Sequence, residues 1–212
     1  VVRSYESGPR AQFWQDAGNV STLFTQIGNG SYQLENGHLS ADTIAVGADA
    51  IGAFDAATNE GRFVQTGGTV VAANVSVRGS KSFDGSRTAT GRYELQGGTA
   101  YIDRLFLGGE RDSEFVQSGG RLFVNTLELA GYGPTGGHAT LTMSGGRTIV
   151  NDSLIVGATP ESSGDFDFQH QAGVVLQTGL GSSVYFGEGT AIRNAESASF
   201  IIGSDSLVGV AE

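Results

Sequence analysis

Phe63-Val-Gln-Thr-Gly-Gly-Thr-Val-Val-Ala72 and Phe115-Val-Gln-Ser-Gly-Gly-Arg-Leu-Phe-Val124 are two copies of one ten-residue pattern. Tyr93-Glu-Leu-Gln-Gly-Gly-Thr-Ala-Tyr-Ile102, Leu141-Thr-Met-Ser-Gly-Gly-Arg-Thr-Ile-Val150 and Tyr32-Gln-Leu-Glu-Asn-Gly-His-Leu-Ser-Ala41 repeat it. Weaker copies start at Phe13 (FWQDAGNV) and Phe168 (FQHQAGVVLQ). The sixth position is glycine throughout: Gly18, Gly37, Gly68, Gly98, Gly120, Gly146 and Gly173. The first position holds Phe13, Tyr32, Phe63, Tyr93, Phe115, Leu141 and Phe168, aromatic in all but one copy.

A second apolar pair follows each glycine corner, as in Val70/Ala72, Ala100/Ile102 and Leu122/Val124. A third follows a short polar break, at Ile44/Val46, Val75/Val77, Leu105/Leu107 and Leu127/Leu129, and after one inserted residue at Leu154/Val156. Three short runs of period-two alternation per unit are the signature of half-buried strands. The glycines supply a tight corner. The polar break supplies another, with Asp42, Asp103, Asn125 and Asn151 at one repeat position and Ala73 as the exception. Asx side chains cap turns by bonding nearby backbone.

The expectation is an all-β fold, a parallel β-helix (β-solenoid) of about six to seven irregular coils with three short strands each. Right-handed coiling is the rule for parallel crossovers. Stacked coils would set equivalent positions about 4.8 Å apart, with the aromatic position as an inward ladder. No stretch sustains a helical period.

The units differ in length almost wholly in the connection after the third run. The longer inserts span 47–62 and 78–92, and shorter ones span 108–114, 130–140 and 157–167. Inserts at one corner project from one edge, which makes that edge a candidate binding face. The organisation read from this is an N-terminal extension and irregular first coil over 1–30, repeats over 31–187, and an irregular C-terminal coil over 188–212. The last part has strands expected near 184–186, 190–193 and 199–202.

Composition narrows the function. Of 212 residues, 34 are Gly and 3 Pro, with no Gly-X-Y period, so collagen is excluded. Twelve Lys and Arg against 22 Asp and Glu give a net charge of −10. That disfavours nucleic acid and anionic lipid surfaces. The absence of Cys removes disulfides, thiolate metal sites and cysteine nucleophiles. No apolar run approaches the ~20 residues of a membrane helix, so membrane insertion is not expected. The chain opens VVRSYESGPR, without Met or an apolar leader, which reads as a processed or trimmed product.

The F-x-Q-[ST]-G-G-x-[VL]-x-[VA] unit closed by h-x-h-x-G resembles the repeats of autotransporter-type passenger domains. It is similar also to the strand repeats of bacterial cell-surface and matrix proteins. The resemblance covers roughly residues 13–187 and implies an exported, extracellular or cell-surface β-solenoid. Members of that group serve as adhesins, stalks, matrix components or carriers of enzymes.

No catalytic constellation stands out. Polysaccharide cleavage needs carboxylates within roughly 5–9.5 Å. Asp42 and Asp103 share a position two coils apart, but the series continues as Asn125 and Asn151, which reads as a turn ladder. His38, His138 and His170 show no metal-binding spacing. No cofactor is expected. Acidic loops at 49–55, 110–114 and 161–167 offer oxygen ligands for a structural calcium ion, without a calcium-loop motif. The repeated Gly-Gly precedes a strand, so it is a corner and not a phosphate cradle. Gln65 and Gln117 share the third position and read as buried amides bonding along the stack.

Open ends decide what such a stack does, because unpaired edges recruit other chains unless capped. No amphipathic capping helix is visible. Tyr5, Phe13, Trp14 and Phe24 could plug the first coil, or the segments 1–14 and 206–212 could donate strands to another copy. The expected function is a non-enzymatic structural protein whose partner is itself, assembled as a filament or surface and matrix layer. A carbohydrate-binding or adhesin module acting through the insert edge, with a glycan partner, is the alternative. A polysaccharide-active β-helix enzyme is the second alternative.

Overall fold

The computed structural model describes residues 11–47, 58–81, 88–109, 111–129 and 138–156, and the strands over 163–168, 175–178, 183–186, 191–194, 199–201 and 207–210. All regular structure among these residues is β. The strands are β1 Ala11–Gln15, β2 Asn19–Ile27, β3 Gly30–Leu34, β4 His38–Val46, β5 Thr58–Gln65, β6 Thr69–Lys81, β7 Thr88–Leu95, β8 Thr99–Gly109 and β9 Ser113–Gln117. They continue with β10 Arg121–Leu129, β11 His138–Met143, β12 Arg147–Val156, β13 Ser163–Phe168, β14 Val175–Thr178, β15 Ser183–Phe186, β16 Ala191–Asn194, β17 Ser199–Ile201 and β18 Leu207–Val210.

The pairing is simple. Through β12, each strand pairs in parallel with the strand two places on, so the chain builds two ladders at once. One runs β1–β3–β5–β7–β9–β11–β13–β16. The other runs β2–β4–β6–β8–β10–β12 and then divides into β14–β17 and β15–β18. One antiparallel step, Ser80 to Ala89 and Lys81 to Thr88, joins β6 to β7 across the second longest insert. A mostly parallel sheet visited alternately in this way is compatible with a β-solenoid.

Register follows the repeat. Tyr32 stands opposite Phe13 and Phe63, and Phe63 opposite Tyr93. Phe115 stands opposite Tyr93 and Leu141. A one-residue slip would turn every inward side chain to solvent, so the alternation locks each pair. The core is this inward set: Tyr32, Phe63, Tyr93, Phe115 and Leu141 from one ladder, and Leu39, Val70, Leu105, Leu122 and Leu154 among those from the other.

Two readings are corrected in detail. The second and third apolar runs of each early unit lie in one long strand, the even-numbered β2 to β12, and not in two. Pairing skips the polar-break residue, as between Val124 and Thr126, while the strand stays in the ladder on both sides of it. Only in β14/β15 and β17/β18 are the runs separate strands. In the last copy, Phe166 and not Phe168 stands opposite Leu141, while Phe168 stands opposite Met143. A shift of two residues keeps the same face inward, so alternation alone does not fix this register.

The C-terminal strands fall close to expectation, with β15, β16 and β17 at 183–186, 191–194 and 199–201. Leu207–Val210, read as a donor strand, is β18 and pairs with β15 of its own chain. The inserts over 48–57, 82–87, 130–137 and 157–162 lie outside the described residues, as do Tyr5 and Gly173.

Candidate functional site

Inside the stack the aromatic position forms a continuous column. Ring centroids lie 4.7 Å apart for Phe13–Tyr32, 5.3 Å for Tyr32–Phe63, 4.7 Å for Phe63–Tyr93 and 4.9 Å for Tyr93–Phe115. Burying each ring contributes about 1.5–3 kcal/mol, and each favourable ring pair about 0.5–1.5 kcal/mol more.

Two positions along from the column, glutamine alternates with an apolar residue: Gln15, Leu34, Gln65, Leu95, Gln117, Met143. The glutamines are buried. Each amide ties its own glycine corner to the next unit. Gln65 Nε2 donates to the Thr99 carbonyl at 3.1 Å and the Gly68 carbonyl at 3.4 Å. Gln15 treats His38 and Gly18 the same way, and Gln117 treats Arg147 and Gly120.

The remaining amide oxygen takes a hydroxyl from the following unit. Tyr32 donates to Gln15 at 2.5 Å and Tyr93 to Gln65 at 2.7 Å. Where Leu141 replaces the tyrosine, Thr148 donates to Gln117 at 2.5 Å instead. A buried amide without partners costs about 1–3 kcal/mol, so the matching of residues across units is a structural requirement. Burial pushes the Tyr32 phenol up to about 12 and the Tyr93 phenol up further.

The corner glycines Gly18, Gly37, Gly68, Gly98, Gly120 and Gly146 have φ between 63° and 88°. At Gly98 a Cβ would also run into the backbone of Gly67 and Gly68 in the unit before. The Asx position is a surface row. Asn125 Nδ2 donates to Asp103 at 2.6 Å and Asn151 Nδ2 to Asn125 at 3.1 Å. Asp42 accepts from the Thr43 hydroxyl at 3.4 Å. These carboxylates and amides bond one another or their neighbours, as turn residues do.

On the outer face of the first ladder, Glu94 is nearly buried between two arginines. Its carboxylate accepts from Arg62 at 2.7 and 2.8 Å, from Arg92 at 2.7 Å and from Gln96 at 3.0 Å. Arg92 also pairs with Glu114. Desolvation would raise the Glu94 carboxyl, but the arginine hydrogen bonds outweigh it and hold the group down at about 2. The network is a clamp across three strands, with each oxygen already occupied.

The first unit differs from those above it. Phe13 is 36% exposed, whereas Tyr32 is 2% exposed and Phe63, Tyr93 and Phe115 are 0% exposed. Trp14, read as a plug, alternates outward and is 59% exposed, and Leu23 is 81% exposed. Phe24 is half-buried. A cavity of about 100 Å³ opens beside Phe13, Thr25, Ile27 and Tyr32. The buried Thr25 hydroxyl has no hydrogen-bond partner among the described residues. The edges of β1 and β2 are paired only toward β3 and β4 among the described strands.

No protein-family model, curated protein or solved structure matches the chain.

Among the described residues no three His, Asp or Glu side chains gather in a metal-binding group. His38 is half-buried, and its carbonyl accepts from Gln15. The side chains of His138, His170 and Phe168 lie outside the described residues, as do most of the acidic loops offered for calcium. The insert edge lies largely outside them too. Sequence reasoning missed Gln15, although it stands two residues after an aromatic position as Gln65 and Gln117 do. It also missed Thr148, whose signal was the coincidence of Leu141 with a hydroxyl where other units carry Leu39, Val70, Ala100 or Leu122. The Arg62–Glu94–Arg92–Glu114 cluster spans more than fifty residues and is visible only once register is known.

Proposed function

We propose that this chain is a structural, non-enzymatic β-solenoid that self-associates end to end into a filament or a surface and matrix assembly. In this reading the coils are right-handed, about six to seven in number. The protein works outside the cell after bacterial-type export, as the repeat resemblance implies. The observation that carries the reading is Phe13. Among the described residues it is the end rung of a column whose next four rungs are closed, and one side of its ring has no neighbour.

Physical chemistry favours a second copy as that neighbour. An open strand edge above an apolar rung is a template for another strand. All units run in the same direction, so the last unit of one copy placed on the first of another continues both parallel ladders. Such a head-to-tail contact does not close, and contacts that do not close make filaments. The occupied oxygens of the Glu94 clamp and the turn-like Asx row support a structural reading over a catalytic one.

The test is light scattering across a concentration series with electron micrographs of the same samples. Filaments are expected from the native chain and from Phe13→Leu. Phe13→Arg places a charge on the contact and is expected to leave single particles. Single particles from the native chain at every concentration would overturn the proposal.

A further inference from the structure

The outer face of the second ladder carries a feature that the end contact does not use. Val71, Tyr101, Phe123 and Ile149 stand in one row by register. Val71 is 39% and Tyr101 48% exposed, and Phe123 and Ile149 are half-buried. The Tyr101 and Phe123 rings stack with centroids 5.1 Å apart and planes 10° apart. Single exposed apolar residues are ordinary, but four in a file make a stripe about 15–20 Å long at the spacing of stacked strands.

The flanks of the stripe are charged, with opposite signs. Two residues before it run Thr69, Thr99, Arg121 and Arg147, whose charges are all positive. Two residues after it run Ala73, Asp103, Asn125 and Asn151, with Asp152 beside the last, whose charges are negative, while the exposed Arg104 beside Asp103 is paired with Glu128. Arg121 is the direct neighbour of Arg147. Arg121 is exposed and forms no ion pair among the described residues.

We infer that this face pairs laterally with the same face of a second copy, about a twofold axis parallel to the stacking direction. That operation lays stripe on stripe. It also exchanges the flanks, so the arginine row of each copy meets the acidic row of the other at the same level. Arg147 then faces Asn151 and Asp152, and Arg121 reaches Asp103 one strand away. A twofold along the strands would instead set the arginine row on the arginine row. The favoured arrangement is isologous, each contact occurring twice, as twofold interfaces require. Facing sheets pack about 10 Å apart, a gap that apolar and aromatic side chains from both sides fill. The interface stands whether or not the ends stack, and the two together would make paired filaments.

The absence of cysteine makes the test direct. Val71→Cys puts a thiol of similar size on the axis, and Val116→Cys puts one on the outer face of the other ladder. Mild oxidation is expected to yield a disulfide dimer from Val71→Cys in large excess over Val116→Cys. In the Val71→Cys background, Arg121→Glu with Arg147→Glu is expected to lower the dimer severalfold. Adding Asp103→Arg and Asp152→Arg is expected to restore it. Adding Phe13→Arg, which blocks the end contact, is expected to leave the dimer in place. Equal yields from the two cysteine positions, or a yield indifferent to charge reversal, would overturn the lateral pairing without touching the end-to-end reading.

Discussion

Thr148 donates its hydroxyl to Gln117 Oε1 at 2.5 Å, doing in one unit what Tyr93 does for Gln65 in an earlier one. The donor comes from the other ladder and is a different residue type, yet the acceptor is the same glutamine oxygen of the repeat. The buried amide is therefore the fixed element, and the hydroxyl is recruited to it.

Thr148→Val is expected to destabilise the fold by about 1–3 kcal/mol, because it strands a buried amide oxygen while keeping the side chain's shape. The double variant Thr148→Val with Gln117→Leu is expected to recover most of that loss. Leu95 and Met143 already occupy the same position in the adjoining units. Denaturant midpoints of the four-member cycle measure the coupling, and additive losses would contradict it.

Two glycines with similar φ separate conformational strain from stacking. Gly18 has φ 77° with nothing within 4 Å of an added Cβ, whereas Gly98 has φ 75° with the preceding unit's backbone in the way. Gly18→Ala is expected to cost about 1–2 kcal/mol. Gly98→Ala carries that cost plus the displacement of a packed corner, and is expected to be the more damaging by a clear margin in thermal melts.

Acid should weaken the fold through Glu94. Its folded carboxyl sits at about 2, below the ordinary 4.5, so its contribution is complete above about 4.5 and is lost as pH falls toward about 2. Stability measured across that window is expected to fall in the native chain and to fall less in Glu94→Gln. Identical slopes would remove Glu94 from the account.

Alkali should act through the column. The Tyr32 phenol, raised from 10 to about 12, favours the fold while protonated, and that contribution fades as pH rises from 10 through about 12. Ultraviolet difference spectra are expected to show Tyr32 and Tyr93 ionising above the ordinary phenol range or only on unfolding.

Much of this was legible in the sequence, for a physical reason. Phe63 and Phe115 begin near-identical units because stacked strands demand the same side chain in the same place. What resisted reading depends on register between units. Phe166 and Phe168 stand two residues apart, so alternation alone does not say which continues the column. Gln15 was hidden because its unit lacks the paired glycines, having Ala17 before Gly18. Glu94 looks like one of many surface acids until β5, β7 and β9 are laid side by side. The stripe at Val71, Tyr101, Phe123 and Ile149 looks like scattered outward residues until their strands are aligned.

The most direct measurement of the central claim is X-ray diffraction from an aligned, concentrated sample of the native protein, with its sedimentation recorded over the same range. Coils stacked along a growing filament should give a reflection near 4.8 Å along the filament axis, with sedimentation rising with concentration. A species that sediments as a monomer throughout, or filaments with that reflection across the axis instead of along it, would contradict end-to-end assembly.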